Sequence, residues 1–460
     1  MRKRLPLSAM ALAALAALSA PSAWALDLAE AWAGARQHAP QATAAQAARD
    51  AGLARHEQSR ALWRPTIGLE AGLSYAGAES SIRGAQFAAP GFGQSTGVSF
   101  DTSVTGGTGT RVDLVLRQPL ISRERTAQGQ ALSLSAQAAE VQWAQAQQDL
   151  MLRTAQTYFE AAVAAEQVRL LQQQAQSVQR AATEARDRFQ IGDKPITDVH
   201  EATARAAALQ SELLAAQTRL AFNRQALSDL TGLAMGETGL SLPTSHAVAT
   251  TTGSLDEWLA RAEQHNPGLR LAATQVAVAQ AKADASGAAF SPTLDAVARL
   301  GRERLSGDGD FGRASQTTRQ QAIGVVLNVP LYTGGMRSAQ HREGLALVEQ
   351  ARAEQEQLRQ QVTLQTRDTW QQLQVAQARL DALDAALTAS RARLDATQVG
   401  LQAGDRTTLD LLNAQNDARG AELALLQARV QRLMLRLQLA SLAGALDEQT
   451  LNTANAQLTH

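Results

Sequence analysis

Two polar segments hold the residues whose types and spacing are best suited to chemistry. One reads Phe189-Gln190-Ile191-Gly192-Asp193-Lys194-Pro195-Ile196-Thr197-Asp198-Val199. The other reads Leu401-Gln402-Ala403-Gly404-Asp405-Arg406-Thr407-Thr408-Leu409-Asp410-Leu411-Leu412-Asn413. Each has a glycine and, the same short distance on, an aspartate next to or near threonine. Gly192 and Gly404 suit the left-handed residue that ends a helix. Thr197, Asp198, Thr408 and Asp410 suit caps or the first turn of a returning helix, where an anion meets the positive end of the helix dipole. A second use is compatible with the first. Carboxylates repeated around a ring of subunits favour cations and bind multivalent cations at a narrow entrance. The rest of the chain assembles no catalytic or metal set. Its seven histidines (38, 56, 200, 246, 265, 341 and 460) are dispersed and form no H-E-x-x-H pair. No Walker loop, G-x-S-x-G elbow or dinucleotide fingerprint occurs. No enzymatic activity, catalytic residue, cofactor or metal is expected.

The elements that must position these segments come twice. His38-Ala39-Pro40 returns as His265-Asn266-Pro267, and Trp63-Arg64-Pro65-Thr66-Ile67 as Phe290-Ser291-Pro292-Thr293-Leu294. Gln118-Pro119-Leu120 returns as Val329-Pro330-Leu331, Gly192-Asp193 as Gly404-Asp405, and Leu230-Thr231-Gly232 as Leu442-Ala443-Gly444. The landmarks keep their order, so one structural unit has been duplicated. The first repeat is expected over 26–232, with a β-hairpin at 66–119 and a helical hairpin whose tip lies near 190–197. The second is expected over 255–446, with a hairpin at 293–331 and a tip near 402–408. Residues 233–254 connect the repeats and 447–460 form a tail. His38 and His265 read as polar residues at helix C-termini.

Within each repeat the hydrophobic period changes. Leu28 to Leu62 reads as helical. After Pro65, Ile67, Leu69, Ala71, Leu73 and Tyr75 alternate with polar residues, as a half-buried strand does. Val112, Leu114 and Leu116 alternate in the same way, as do Leu294, Ala296, Ala298 and Leu300, and then Ile323, Val325 and Leu327. Four strands of about ten residues are predicted, the length of a tilted bilayer-crossing strand. Gly/Ser/Thr-rich loops are predicted at about 77–110 and 302–320. From Arg123 to Gln190 and from Met336 to Ala403, runs of Ala, Gln, Leu, Glu and Arg without proline predict helices of roughly 68 residues, about 100 Å at 1.5 Å per residue. Four strands cannot close a membrane barrel, and an open edge in lipid leaves backbone groups unsatisfied. The strands are therefore expected to be pooled between subunits.

Composition narrows the setting. Residues 1–25 carry Arg2, Lys3 and Arg4, an apolar stretch from Leu7 to Ala20, and Ala23-Trp24-Ala25, the pattern of a secretory signal peptide. The chain has 0 cysteines, so no disulfide framework is expected, nor a lipid-modified cysteine after the leader. Formal net charge is +0, and losing the leader leaves a slight acidic excess. Nucleic-acid binding is not expected, since it usually comes with a basic excess.

Together the duplicated hairpin-and-long-helix layout, the P-T-I/L strand entries at Pro65 and Pro292, and the tip motifs Gly192 to Val199 and Gly404 to Leu412 resemble the TolC-like outer-membrane efflux proteins. The resemblance covers residues 26–460. It implies a mainly α fold with a transmembrane β part: a homotrimer with a 12-stranded β-barrel, four strands per chain, above a long α-barrel in the periplasm. The connection 233–254 and the tail 447–460 would form an equatorial belt. It implies a passive exit duct of the Gram-negative outer membrane, serving drug efflux or type I protein secretion. The duct would dock on a periplasmic adaptor and an inner-membrane pump or ABC transporter. By position, Asp410 resembles a member of the entrance acid ring. Asn413 stands where the family's second ring acid would be, which weakens the expected cation block. Arg406 resembles a latch cation bonding near Thr197 and Asp198 of a neighbouring hairpin, and Leu401 replaces a latch tyrosine. The alternative is a periplasmic coiled-coil structural or adaptor protein. Strands with an apolar face of membrane height favour the duct.

Overall fold

The computed structural model describes residues 26–91, 93–193, 195–235, 239–243, 253–310 and 312–459. The leader expected at 1–25, Lys194, and most of the connection between the repeats lie outside them. Each half opens on two short helices, α1 (Leu28–His38) and α2 (Pro40–Ala61), then α5 (Leu255–His265) and α6 (Pro267–Ala288). The hairpin strands are β1 (Thr66–Ala89) with β2 (Gly93–Ile121), and β4 (Thr293–Gly309) with β5 (Gly312–Asn328). The long helices are α3 (Arg123–Gln190) with α4 (Ile196–Thr231), and α7 (Met336–Ala403) with α8 (Thr408–Leu442). The small elements are β3 (Leu242–Pro243), α9 (Glu448–Asn455) and β6 (Leu458–Thr459).

Two compact units result. The first comprises the described residues within 26–50, 139–273 and 354–459, and its core joins Leu28, Trp32, Tyr158, Phe159, Leu227 and Leu433. The stretch expected as one helix from Leu28 to Leu62 is broken at Ala39, whose backbone is extended (φ −62°, ψ 127°). A residue before proline is driven out of the α region, whereas proline itself fits the first position of α2. The duplicated His-x-Pro landmark encodes this break, and Asn266 repeats it before α6 (φ −58°, ψ 123°). The histidines then meet the ends of the long hairpins. Gly232 follows α4 with φ 71°, and a Cβ there would fall 2.5 Å from the His38 ring. Gly444 follows α8 with φ 66° and packs against the backbone of His265 in the same manner.

The described part of the connection is tied to the tail. β3 pairs antiparallel with β6. The Tyr158 hydroxyl accepts from the Ser241 N–H (2.8 Å) and donates to the Leu26 carbonyl (2.7 Å). Burial pushes its pKa up to about 12. α9 docks on α1, with Glu448 accepting from Arg36 (2.7 Å) and the Trp32 indole (3.3 Å).

The second unit comprises 51–138 and 274–353 and contains a four-stranded antiparallel sheet in the order β1-β2-β4-β5. The strands are 24, 29, 17 and 17 residues long, not about ten, and most of the segments predicted as loops at 77–110 and 302–320 are strand. Paired backbone continues where the Gly/Ser/Thr composition hides it. One irregularity falls at a glycine: the β1–β2 register slips between Ile82 and Ala85, next to Gly84 (φ 73°). One face carries a belt of exposed apolar side chains, including Ile67 (68%), Leu73 (77%), Leu300 (56%) and Ile323 (89%). Sheet partners share this face: Leu69 lies opposite Leu114, Leu114 opposite Leu300, and Ala298 opposite Ile323. β1 and β5 are the sheet's edges. No helix among the described residues is long and apolar enough to cross a membrane.

Candidate functional site at the helical tips

Both tips turn with the same backbone device. After α3, the Gly192 N–H bonds the Phe189 carbonyl (3.0 Å) and the Asp193 N–H the Arg188 carbonyl (2.9 Å). After α7, the Gly404 N–H bonds the Leu401 carbonyl (3.2 Å) and the Asp405 N–H the Gly400 carbonyl (2.9 Å). With Gly192 at φ 80° and Gly404 at φ 84°, both are Schellman motifs that satisfy the last carbonyls of the ascending helix.

The returning helices start differently. α8 is capped by Thr407, whose hydroxyl accepts from the Asp410 N–H (3.1 Å). Asp410 Oδ2 accepts in return from the Thr407 N–H (2.9 Å) and hydroxyl (2.8 Å). This reciprocal box satisfies two N–H donors of the first turn. The cap is therefore Thr407, and Thr408, expected in a cap or the first turn, is the first helical residue. The Thr407 bonds, backbone first, hold the Asp410 carboxyl below the usual aspartate range, helped by Arg406 and Arg393. The N-cap of α4 is Pro195, which forms no side-chain cap, and Asp198 occupies the place of Asp410.

Salt links fix the first tip from its ascending side: Arg188 pairs with Glu184 (2.8 Å) and more loosely with Asp193 (3.8 Å). In the second hairpin the pairs lie further from the turn, Arg393–Asp417 (2.7 Å) and Arg391–Glu422 (3.3 Å). The tips meet across a cleft of about 120 Å³ lined by Glu184, Arg188, Asp198 and Glu201 on one side and Thr407, Thr408 and Leu412 on the other. Beneath it, Leu412 is buried with Val178 and Leu209. The Gln174 amide donates to Asn416 (2.9 Å).

The structure thus brings Asp198 to the same cleft as the cap of α8. Thr197 is exposed at the start of α4, and Asn413 is exposed one turn beyond Asp410. Arg406 does not line the cleft. Its side chain folds toward Gly400, where a Cβ would fall 2.7 Å from its Cγ. Among the described residues Arg406 forms no ion pair within the chain. Glu184 and Glu201, which add two carboxylates to the cleft, were not singled out by sequence reasoning. Their place on α3 and α4, facing the turn, was the available signal. The three carboxylates and the hydroxyls of Thr407 and Thr408 can accept hydrogen bonds and hold cations.

The family model for outer membrane efflux proteins matches residues 33–233 and 258–445. The outer membrane protein TolC of Vibrio cholerae is 27% identical over 458 residues, covering 100% of this chain and 99% of its own. The proteases secretion protein PrtF of Dickeya chrysanthemi is 27% identical, covering 96% and 93%. Among solved structures, the outer membrane protein VceC of Vibrio cholerae superposes with a TM-score of 0.68 at 21% identity, covering 91% of this chain and 97% of VceC. The Campylobacter jejuni CmeC outer membrane channel gives 0.71 at 15%, covering 94% and 90%. The long helices and the four-stranded sheet are the TolC-like fold, helical barrel plus β part. The match extends through both repeats, so the chain belongs to the outer membrane efflux protein family and is an efflux or secretion channel of the outer membrane that extends into the periplasm.

Proposed function

We propose that three copies of the chain assemble into one duct, closed in the membrane by twelve strands and gated at the helical tips. The observation that carries this reading is the sheet: four strands, an exposed apolar belt on one face, and two edges, the outer sides of β1 and β5, with no further partner strand among the described residues. In hydrocarbon each unpaired N–H and C=O costs several kcal/mol, so the β5 edge of one copy pairs with the β1 edge of the next.

The duct conducts passively. Its cargo enters at the tips from an inner-membrane pump or ABC transporter, coupled through a periplasmic adaptor. The relative PrtF, named for secreting proteases, supports type I protein secretion, and the family's efflux description supports small-molecule export. In the trimer, Asp410 contributes the acid of the entrance ring with its uncommitted Oδ1, while Oδ2 keeps the cap. Asn413 lies one turn on without a charge. Arg406, turned away from its own cleft, reaches Thr197 and Asp198 of the adjacent subunit. The mass of the purified complex tests the assembly: three chains per particle support the duct, and a monomer or dimer with full channel activity would overturn it.

A further inference from the structure

The exposed apolar belt of the sheet has an uneven upper border. Away from the helices, on the belt's own face, it ends at Tyr75 on β1, Val112 on β2, Leu300 on β4 and Ile323 on β5. In the strand register this border steps steadily down across the sheet, since Tyr75 is paired four residues beyond Val112's partner Ala71, and Ile323 lies opposite Ala298, two residues short of Leu300. A horizontal apolar slab crossed by tilted strands gives this staircase. The residues just past it therefore stand at the level of the headgroups of the outer leaflet.

The two hairpins differ at that level. On β2 the next residues of this face are Thr110 and Thr108. On β4, even-numbered positions continue from Leu300 to Arg302 and Arg304, and on β5, odd-numbered positions continue from Ile323 through Gln321 to Arg319. Arg302 lies directly opposite Arg319 in the register, and all three arginines are exposed. Like charges directly opposite on one face repel. No carboxylate of β4 or β5 shares this face until Asp308, which already stands opposite Arg313. Three guanidiniums at a membrane border are left without an anion from their own hairpin. Guanidinium binds phosphate oxygens bidentately.

We propose that Arg302, Arg304 and Arg319 form a binding site for the phosphate groups of an anionic glycolipid in the outer leaflet, one site per chain, on the second hairpin only. The site is continuous with the lipid-facing belt and complementary in charge to such headgroups. It needs the sheet to stand in the outer membrane but does not need the trimer.

The test uses the full-length protein in phosphatidylcholine vesicles, with and without lipid A, and with lipid A stripped of its phosphates. Lipid A retained after detergent extraction is quantified by native mass spectrometry. The parent is expected to retain lipid A and to retain its dephosphorylated form at least about tenfold less, because the three guanidiniums then lose their phosphate partners. The triple variant Arg302→Gln, Arg304→Gln, Arg319→Gln is expected to lose retention to a similar extent. Arg299→Gln, on the opposite face of β4, should retain lipid A like the parent. Unchanged channel conductance in the triple variant shows that it folds. Equal retention by parent and triple variant, or equal retention of the dephosphorylated lipid, would overturn the proposal. So would displacement of lipid A by millimolar inorganic phosphate, which would assign the site to free anions.

Discussion

The two helical tips share a turn but not a starting point. Gly192 and Gly404 close α3 and α7 with the same pair of backbone hydrogen bonds. Past the turn, α8 is pinned by the reciprocal Thr407–Asp410 box, whereas α4 has Pro195 as its N-cap and no side-chain cap. Proline suits the start of a helix but supplies no acceptor for the N–H groups that follow. Duplication preserved what reverses the chain, and divergence acted on what anchors the return. The second tip also carries Arg406, a cation with no ion pair in its own chain among the described residues. The first tip instead spends Arg188 on its own Glu184 and Asp193. Among the described residues, the first tip pairs its arginine within itself. The other is anchored at its base and presents a charge outward, the arrangement expected of a latch.

The largest expected effect is on gating. Arg406→Ser should raise single-channel conductance severalfold in planar bilayers while leaving thermal stability unchanged, because Arg406 forms no ion pair within its chain among the described residues. Arg188→Ser, at the first tip, should loosen that tip locally and change conductance less. Next comes cation block. Asp410→Asn removes the ring charge but keeps an amide oxygen for the cap, so block by trivalent cations should weaken about tenfold with the tip intact. Asp410→Ala should weaken block equally and also fray the first turn of α8, because the Thr407 N–H loses its box partner while the Thr407 cap remains. Equal block in all three proteins would remove Asp410 from the entrance. Smaller still is a gain that erases the difference between tips: Pro195→Thr rebuilds T-x-x-D with Asp198 and should increase hydrogen-exchange protection at the start of α4 by about 0.5–1 kcal/mol.

The tips also differ in their response to acid. The Asp410 carboxyl is held below its unfolded value by the Thr407 bonds. A group with a lowered folded pKa contributes stability above the unfolded pKa, near 3.9, and loses it as pH falls through the lower folded value. Amide protection at the start of α8 should therefore be constant from neutral pH to about 5 and decline below about 4. The same decline in Asp410→Asn would show that another group is responsible.

The long helices were legible because nothing in Arg123 to Gln190 or Met336 to Ala403 interrupts good helix formers. Their structural limits are those two pairs of residues. The fold class was legible because the duplication brought four alternating segments and two Gly–Asp tips into one order. The strand ends were not. Gly, Ser and Thr between Gly77 and Thr110 carry no apolar alternation, and that segment pairs through its backbone, with Thr102 opposite Ser80 and Thr108 opposite Tyr75. The break at Ala39 was hidden because Pro40 is compatible with a helix start, so the helical composition runs straight across it. The pairing of Leu242 with Thr459 had no signal, since two-residue strands have no periodicity. At the tips, residue types foretold turns and caps, but not that Thr407 is the cap, nor that Asp198, Glu184 and Glu201 share a cleft with it. Those depend on how two hairpins pack, which spacing along one helix does not reveal.

The claim that the second tip holds the gate is tested most directly by a conductance cycle on Arg406→Ser, Asp198→Ala and the double variant, in planar bilayers under one salt condition. If Arg406 of one subunit bonds near Asp198 of the next, each single variant opens the channel severalfold and the double variant opens it no further, because both remove the same contact. Unchanged conductance in both single variants, or independent additive increases, would contradict the latch.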